Sequence, residues 1–174
     1  MLDDSLFFAI NGLAGNYLWL DVVGIFLAKY LPYFLVASLI IFLLWNWKKY
    51  WVMVFQAGIA AFLGRFAIVE IIRMFHDRSR PFLSDQTNVL LTHSTSSAFP
   101  SGHATVFFAI GTIVYLHNKK TGIVFLIFSF LMALGRVFTG LHWPLDILGG
   151  IAVGVLSGYL VYLAYPYIYK KFQN

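Results

Sequence analysis

The chain has 174 residues, of which 60% are hydrophobic and only 11% are charged. Its apolar runs are longer than the core of a small soluble domain requires, so the composition indicates a polytopic membrane protein. The formal net charge of +5 does not indicate nucleic-acid binding, because the lysines form short pairs between apolar runs and no basic stripe exists. The sequence contains no cysteine, which excludes disulfides and thiolate chemistry within it.

The first predicted element is a helix over residues 3–14. Four apolar side chains lie near one helical face, whereas Asp3 and Asn11 lie elsewhere. The apolar set is Leu6, Phe7, Ile10 and Leu13. This pattern predicts an N-terminal amphipathic helix that lies along the membrane interface and does not cross the bilayer.

The rest of the chain is predicted to form transmembrane helices, each of which needs about 20 apolar residues. The candidates are the five runs 32–45, 50–75, 101–117, 121–138 and 144–167, of which the first is short unless it begins earlier. Residues 18–31 are also apolar but contain Asp21 and Lys29 and are followed by Pro32. The predicted fold class is therefore all-α, a transmembrane bundle with five crossings, or six if residues 18–31 cross separately. No linker or repeat interrupts residues 1–174, which favours a single integral membrane domain.

The polar motifs fall on one side of this bundle. Arg73 ends the second crossing, and Ser101 begins the third. Arg136 ends the fourth crossing, and His142 precedes the fifth. The opposite side receives the lysine pairs 48–49, 119–120 and 170–171. The positive-inside rule assigns short basic loops to the cytoplasm, so the motif side is expected to face outward, although cations on that side nearly balance the count.

Two short motifs carry candidate chemistry. Ser101 followed by Gly102 and His103 predicts a helix start, with Ser101 as N-cap, free backbone N–H groups for an anion and His103 as a proton donor. His142 and Asp146 are four residues apart around Pro144, so the carboxylate reaches one imidazole nitrogen and leaves the other as a nucleophile. Taken alone, His103 is also explained as an interfacial histidine, and Asp146 as a helix cap.

Three arginines accompany these motifs at helix ends or in adjoining loops, namely Arg73, Arg80 and Arg136. A single arginine there is explained by snorkelling, but three beside two histidines favour a phosphate site. Glu70 lies one turn before Arg73 and is expected to aim it, and Arg65 is predicted to be a supporting or structural residue. Because three guanidinium groups repel a divalent cation, no metal is predicted.

The order and spacing of these residues resemble the type 2 phosphatidic acid phosphatase superfamily. Its three motifs are Lys-six residues-Arg-Pro, Pro-Ser-Gly-His, and Ser-Arg-five residues-His-three residues-Asp. The matching positions are Arg80, Pro81, Pro100, Ser101, Gly102, His103, Arg136, His142 and Asp146. The sequence departs from the pattern where Arg73 replaces lysine and Gly135 replaces serine. The first change keeps the charge, and the second removes a hydroxyl worth about 1 kcal/mol of phosphate binding.

The resemblance implies a role for each matching residue. His142 would be the nucleophile that forms a phosphohistidine, Asp146 its orienting partner and His103 the general acid. The implied phosphate binders are Arg73, Arg80, Ser101, Gly102 and Arg136, and Pro81, Pro100 and Glu70 are expected to support them. The reaction would need neither a metal nor another cofactor.

Within this superfamily, the small size, the stretch 11–15 before Leu20-Asp21 and the outward site are similar to bacterial undecaprenyl diphosphate phosphatases. The resemblance implies a multi-pass enzyme of the bacterial cell membrane that removes the terminal phosphate of this lipid at the outer face and recycles it for cell-wall synthesis. Its expected partners are the polyprenyl diphosphate substrate and membrane lipids, with no nucleic acid. Overexpression would confer bacitracin resistance.

The sequence leaves the lipid substrate and the type of reaction open. Phosphatidylglycerol phosphate or phosphatidic acid would present a phosphate at the same depth, an acceptor hydroxyl would turn the reaction into phosphotransfer, and a transporter would bind without hydrolysis. Substrate is expected to enter from the bilayer between the third and fifth crossings. The polar loop 82–99, which contains His93, is expected to shape the mouth of the site.

Overall fold

A computed structural model describes residues 2–92 and 96–171, with side chains described as far as residue 165, so His93 lies outside the described residues. The described residues form helices and no strand, which confirms the all-α class. The α-helices are α1 Leu2–Asn11, α2 Leu18–Ile25, α3 Leu31–Trp45, α4 Trp47–Phe62, α5 Val69–Phe75, α6 Gly102–His117, α7 Lys119–Phe138 and α8 Pro144–Lys171. Two π-helical turns, Phe26–Tyr30 and Leu63–Ile68, and one 3₁₀ turn, Pro81–Leu83, complete the set.

Two of the long helical runs are built around the π turns. Leu18–Trp45 is a continuous run of 28 residues, and Trp47–Phe75 is a continuous run of 29 residues. Residues 18–31 are therefore joined to the segment that follows them, and Pro32 does not end the helix, because it sits at the start of α3 directly after a π turn.

Four runs among the described residues are long and apolar enough to cross a membrane, namely Leu18–Trp45, Trp47–Phe75, Lys119–Phe138 and Pro144–Tyr165. The shorter apolar helix α6 lies at the centre, where its side chains Ile113 and Val114 are fully buried. Met53 of α4 and Met132 of α7 pack into the same core. The helix that begins with the Ser101 motif is thus held by neighbours on several sides.

Helices α6 and α8 approach each other closely along a stripe of glycines. A β-carbon at Gly154 would lie 2.5 Å from the carbonyl oxygen of Thr105, and one at Gly158 would lie 2.8 Å from that of Ala109. Gly150 makes the same kind of contact one turn earlier. Small residues at four-residue spacing let two helical backbones touch, as in many membrane proteins. We call this contact the glycine seam.

Helix α1 turns a face toward the bundle that contains both polar and apolar side chains. Asp3, Phe7 and Asn11 are buried, whereas Leu6 and Leu13 are 54% and 50% exposed. Polar residues point inward because the protein supplies their partners. Asn11 Nδ2 donates to the backbone oxygens of Asn88 and Phe138, each at 2.8 Å, and its Oδ1 accepts from Asn88 N at 2.9 Å.

Candidate active site

The residues predicted from the motifs meet at one end of the bundle, around a polar chamber of about 160 Å³. Its walls come from the π turn Leu63–Ile68, the ends of α5 and α7, the start of α6, and the loops before α6 and α8. The lining residues are Arg65, Arg73, Arg80, Ser96, Gly102, His103, Arg136 and His142. Arg73, Arg80 and Arg136 therefore converge as the sequence predicted, although they are up to 63 positions apart (136 − 73).

The His142 imidazole is held between a cation and a carboxylate. Arg80 Nη1 lies 3.3 Å from His142 Nε2, and His142 Nδ1 lies 3.4 Å from Asp146 Oδ2. Because a guanidinium only donates, Nε2 is the acceptor in this arrangement and the ring proton belongs on Nδ1, facing the carboxylate. Both His142 and Asp146 are buried, so the lone pair on Nε2, which accepts from Arg80, is shielded from bulk water.

Asp146 is fixed by several donors, one of which the motifs do not include. Its Oδ2 accepts from the backbone N–H of Trp143 at 2.9 Å, and its Oδ1 accepts from Arg78 Nη1 at 2.9 Å. Arg78 also pairs with Asp3 through Nη2, and Asp3 Oδ1 accepts from the N–H of Leu145 at 2.9 Å. Arg78 thus joins α1 to the carboxylate that faces His142.

Arg80 is held by the loop before α6. Its Nε donates to the carbonyl of Ser96 at 2.8 Å, and its Nη1 lies 3.3 Å from the carbonyl of Leu141. Burial lowers the pKa of Arg80, the positive charge of Arg73 lowers it further, and the charge of Asp146 partly opposes this. An anion in the chamber would relieve the repulsion between these cations.

Arg73 and Arg136 are anchored at one end and carry buried donors. Arg73 Nη2 donates to the carbonyl of Pro100 at 3.1 Å, and its Nη1 lies 3.4 Å from Glu70 Oε1. Arg136 Nη1 donates to the carbonyl of Ala28 at 3.2 Å. Among the described atoms, the buried Nε groups of Arg73 and Arg136 have no hydrogen-bond partner. Buried donors without a protein partner are suited to an anionic ligand.

The start of α6 agrees with the predicted capping turn. Ser101 Oγ accepts from Ala104 N at 3.5 Å, and the backbone N–H of Ser101 donates to the carbonyl of Asp146 at 2.9 Å. A β-carbon at Gly102 would lie 2.7 Å from Arg65 Nε. Arg65, which was predicted to be supporting or structural, therefore lies against the capping turn and lines the chamber, while it also pairs with Glu70.

A second, wider cavity of about 500 Å³ adjoins the chamber. The two cavities have His103 and Arg136 in common as lining residues. The wide cavity is otherwise mostly apolar and is lined by Ala28, Lys29, Pro32, Tyr33, Val36, Leu91, Thr92, Phe107 and Leu141. It lies between α6 and the Leu18–Trp45 run, whereas the glycine seam brings α6 and α8, the expected third and fifth crossings, into backbone contact.

Sequence reasoning missed three parts of this site. Arg78 was not included among the site residues, Ser96 was placed only in the polar loop 82–99, and Arg65 was not placed in the chamber. Arg78 lies in a charged stretch between the motif residues Arg73 and Arg80, and this position could have indicated that it belongs to the site. Its partners are 75 positions before it and 68 after it, so the sequence alone did not identify them.

Residues 49–170 match the PAP2 superfamily, and the chain belongs to this family. It is a phosphatase with a multi-pass membrane fold. The chain is 36% identical over 166 residues to "Bacitracin transport permease protein BcrC" of Bacillus licheniformis, covering 95% of this chain and 81% of that protein.

Two further comparisons describe the same family. The chain is 30% identical over 163 residues to "Undecaprenyl-diphosphatase BcrC" of Bacillus subtilis strain 168, covering 91% of this chain and 81% of that protein. The crystal structure of LpxE from Aquifex aeolicus superposes with a TM-score of 0.77 at 26% identity, covering 92% of this chain and 94% of that one. The chain therefore resembles undecaprenyl-diphosphatase BcrC over most of its length.

Proposed function

We propose that this protein hydrolyses undecaprenyl diphosphate to undecaprenyl phosphate and inorganic phosphate through a phosphohistidine on His142. One observation carries the proposal: His142 presents Nε2 to a chamber of converging arginines while Asp146 faces Nδ1 at 3.4 Å. The diphosphatase name of a relative that covers most of the chain supports the choice of lipid. The product would return to cell-wall synthesis, and removal of the lipid that bacitracin sequesters would confer resistance.

In the first step, His142 Nε2 attacks the terminal phosphorus and the phosphoanhydride P–O bond breaks. Arg73, Arg80 and Arg136 neutralise the phosphoryl oxygens, together with the backbone N–H groups at the start of α6. His103 gives its proton to the departing lipid phosphate. Asp146 keeps the second ring proton on Nδ1 and stabilises the positive charge that develops on the ring.

In the second step, water attacks the phosphohistidine and the P–N bond breaks. His103, now neutral, accepts a proton from this water, and inorganic phosphate is released. Metal independence is part of the proposal, because four arginines lining one small chamber supply the charge neutralisation that a divalent cation provides elsewhere.

The membrane arrangement is also a proposal. With five crossings, by the four long runs and α6, the chamber would lie on the side opposite the lysine pairs, which favours the outer face. The exposed apolar residues Leu6, in α1, and Leu13, in the turn after it, suit an interfacial position. The polyprenyl tail would lie in the wide cavity and the bilayer beside it, with the diphosphate rising to the chamber.

The test is phosphate release from undecaprenyl diphosphate by the purified protein with EDTA present. His142→Ala should lower the rate at least roughly 10³-fold, because it removes the nucleophile. His117→Ala is the matched control, since His117 pairs with Gln56 and lies at the other end of α6. An acid-labile phosphoenzyme should form in wild type and be absent from His142→Ala.

A substrate panel separates the remaining alternatives. Phosphatidic acid and phosphatidylglycerol phosphate should be cleaved more slowly than the polyprenyl substrate, and faster cleavage of either would replace the proposed lipid. Phosphorylated acceptor lipid without free phosphate would indicate phosphotransfer. Release that EDTA abolishes, or that is unchanged in His142→Ala, would contradict the mechanism, and lipid binding without any release would support the transporter alternative.

A further inference from the structure

The two cavities arrange the polar groups in a fixed order. His142 lines the narrow chamber, His103 and Arg136 line both cavities, and Lys29 lines the wide cavity. Among the described residues that line the wide cavity, Lys29 and Arg136 are the permanent cations. A molecule that extends from the chamber into the wide cavity therefore passes the His103–Arg136 boundary and then reaches Lys29.

Phosphoryl transfer fixes which part of the substrate lies on each side of this boundary. The attacking and leaving atoms lie roughly in line on opposite sides of the phosphorus. With His142 in the narrow chamber, the leaving group departs toward the wide cavity. When the substrate is a diphosphate, the leaving group begins with a second phosphate, whereas a lipid monophosphate places an alcohol oxygen there. A second phosphate charge therefore enters the wide cavity only when the substrate is a diphosphate.

Lys29 is brought to this place by features outside the motifs. A β-carbon at Gly135, where the family usually has serine, would lie 2.8 Å from the backbone nitrogen of Ala28. Pro32 has no N–H to offer the carbonyl of Ala28 four residues earlier, and Arg136 Nη1 donates to that carbonyl instead. The departure at Gly135 therefore permits the turn that carries Lys29 to pack against α7 beside Arg136.

The depth of Lys29 agrees with this contact. Lys29 is 16 residues before Trp45, and Arg136 is 17 residues after Lys119. At 1.5 Å per residue, both lie about 25 Å from the opposite end of their helices. Lys29 also belongs to the π turn Phe26–Tyr30, a feature that is frequent at functional sites, and it lies outside the segment 49–170 that matches the family.

We propose that Lys29 binds the inner phosphate of a lipid diphosphate, in a subsite formed with Arg136 and His103 at the boundary of the two cavities. The inference rests on the proposed diphosphatase function and adds the residue that distinguishes diphosphate from monophosphate lipids. Lys29 stabilises the negative charge that the leaving phosphate gains when the P–O bond breaks. It is a specificity residue and takes no part in the transfer of the phosphoryl group to His142.

The experiment compares two substrates that share one tail, farnesyl diphosphate and farnesyl monophosphate, on purified full-length protein. Lys29→Gln should lower kcat/KM for the diphosphate about tenfold, as expected for one lost charge-assisted hydrogen bond. The monophosphate value should stay within about twofold, because the lost contact does not exist in that complex. Lys29→Arg should restore most of the diphosphate activity, and Lys48→Gln, an exposed lysine at the opposite end, is the matched control.

A second measurement uses soluble inhibitors of the same reaction. Lys29→Gln should weaken inhibition by inorganic pyrophosphate, which spans both cavities, and leave inhibition by orthophosphate unchanged. Equal losses on both lipids, or no loss on either, would overturn the role of Lys29 while leaving the diphosphatase function intact. Wild-type protein that cleaves the monophosphate and not the diphosphate would overturn the proposed function and this inference together.

Discussion

The two sides of helix α6 are built in opposite ways. Toward α8 the helix is closed, with Gly150, Gly154 and Gly158 bringing the two backbones into contact. Toward the Leu18–Trp45 run it is open, and Phe107 borders a cavity of about 500 Å³. One helix therefore has a side that fixes distances and a side that leaves space.

The difference shows how the site combines accuracy with a bulky substrate. The closed side holds the capping turn of α6 and the start of α8 at a fixed distance, since the N–H of Ser101 donates to the carbonyl of Asp146 at 2.9 Å. Phosphoryl transfer depends on such positioning, because an error of 1 Å costs roughly 10²-fold in rate. The open side accommodates leaving groups and tails, for which apolar volume matters more than fixed distances.

The largest expected effect comes from breaking the closed side. Gly154→Leu adds a side chain at a position where even a β-carbon would lie only 2.5 Å from the carbonyl oxygen of Thr105. We expect about 3 kcal/mol or more of destabilisation and activity close to background, measured by a thermal melt and by phosphate release. Gly58→Leu is the matched control, because a β-carbon at Gly58 meets no atom within 4 Å. Equal melting temperatures for the two variants would show that the seam does not require glycine.

A smaller loss of activity is expected from removing a hydrogen bond to Asp146, at the start of α8, without adding a larger side chain. Arg78→Gln removes the donor that lies 2.9 Å from Asp146 Oδ1, so the carboxylate is held less firmly against His142. We expect kcat to fall roughly 10- to 100-fold with KM nearly unchanged, because Arg78 positions Asp146 and does not line the chamber.

The control for Arg78 is its exposed neighbour, in the variant Asp77→Asn. Both proteins should form the phosphohistidine, but Arg78→Gln should form it more slowly in a single-turnover measurement. Partial recovery in Arg78→Lys would agree with a positioning role. A fall in melting temperature that accounts for the whole loss, or a change confined to KM, would argue against that role.

The smallest effect is expected from narrowing the open side. Val36→Trp adds volume to a residue that lines the wide cavity, and should lower kcat/KM for the undecaprenyl substrate about fivefold, or about 1 kcal/mol. Farnesyl diphosphate should be affected less, because its shorter tail occupies less of the space. Ile40→Trp, one turn further along α3 and 52% exposed, controls for the added surface. If Val36→Trp lowered kcat/KM by the same factor for both substrates, the result would show that the tail does not occupy this cavity.

Much of the site was predictable because its geometry is local. The four-residue interval between His142 and Asp146 places both on one turn, and Ser101 before Gly102 is a recognisable capping signal. Because successive crossings run in opposite directions, counting them placed Arg73 and Arg136 on the same side of the membrane without any knowledge of packing. These predictions rest on helical periodicity and on the alternation of crossings, which a single sequence contains.

The remaining features depend on partners that are distant in the chain. The inward position of Asp3 and Asn11 is explained by Arg78, Asn88 and Phe138, partners that the sequence of α1 alone does not identify. The side of α6 that stays open is likewise decided by packing between helices. Glycines in an apolar run do not reveal which neighbouring helix they approach, so the sequence did not predict the close contact between α6 and α8.

The π turns at Phe26–Tyr30 and Leu63–Ile68 make residue count as important as residue identity. Each carries a basic residue that lines a cavity, Lys29 in one and Arg65 in the other. Each residue of an α-helix advances the chain by about 100° around its axis. Deleting one residue within Phe26–Tyr30 would rotate α2 by that angle relative to α3 and break the contact of α2 with α7. Insertions and deletions in this turn would therefore change substrate preference between related proteins while every motif residue stays in place.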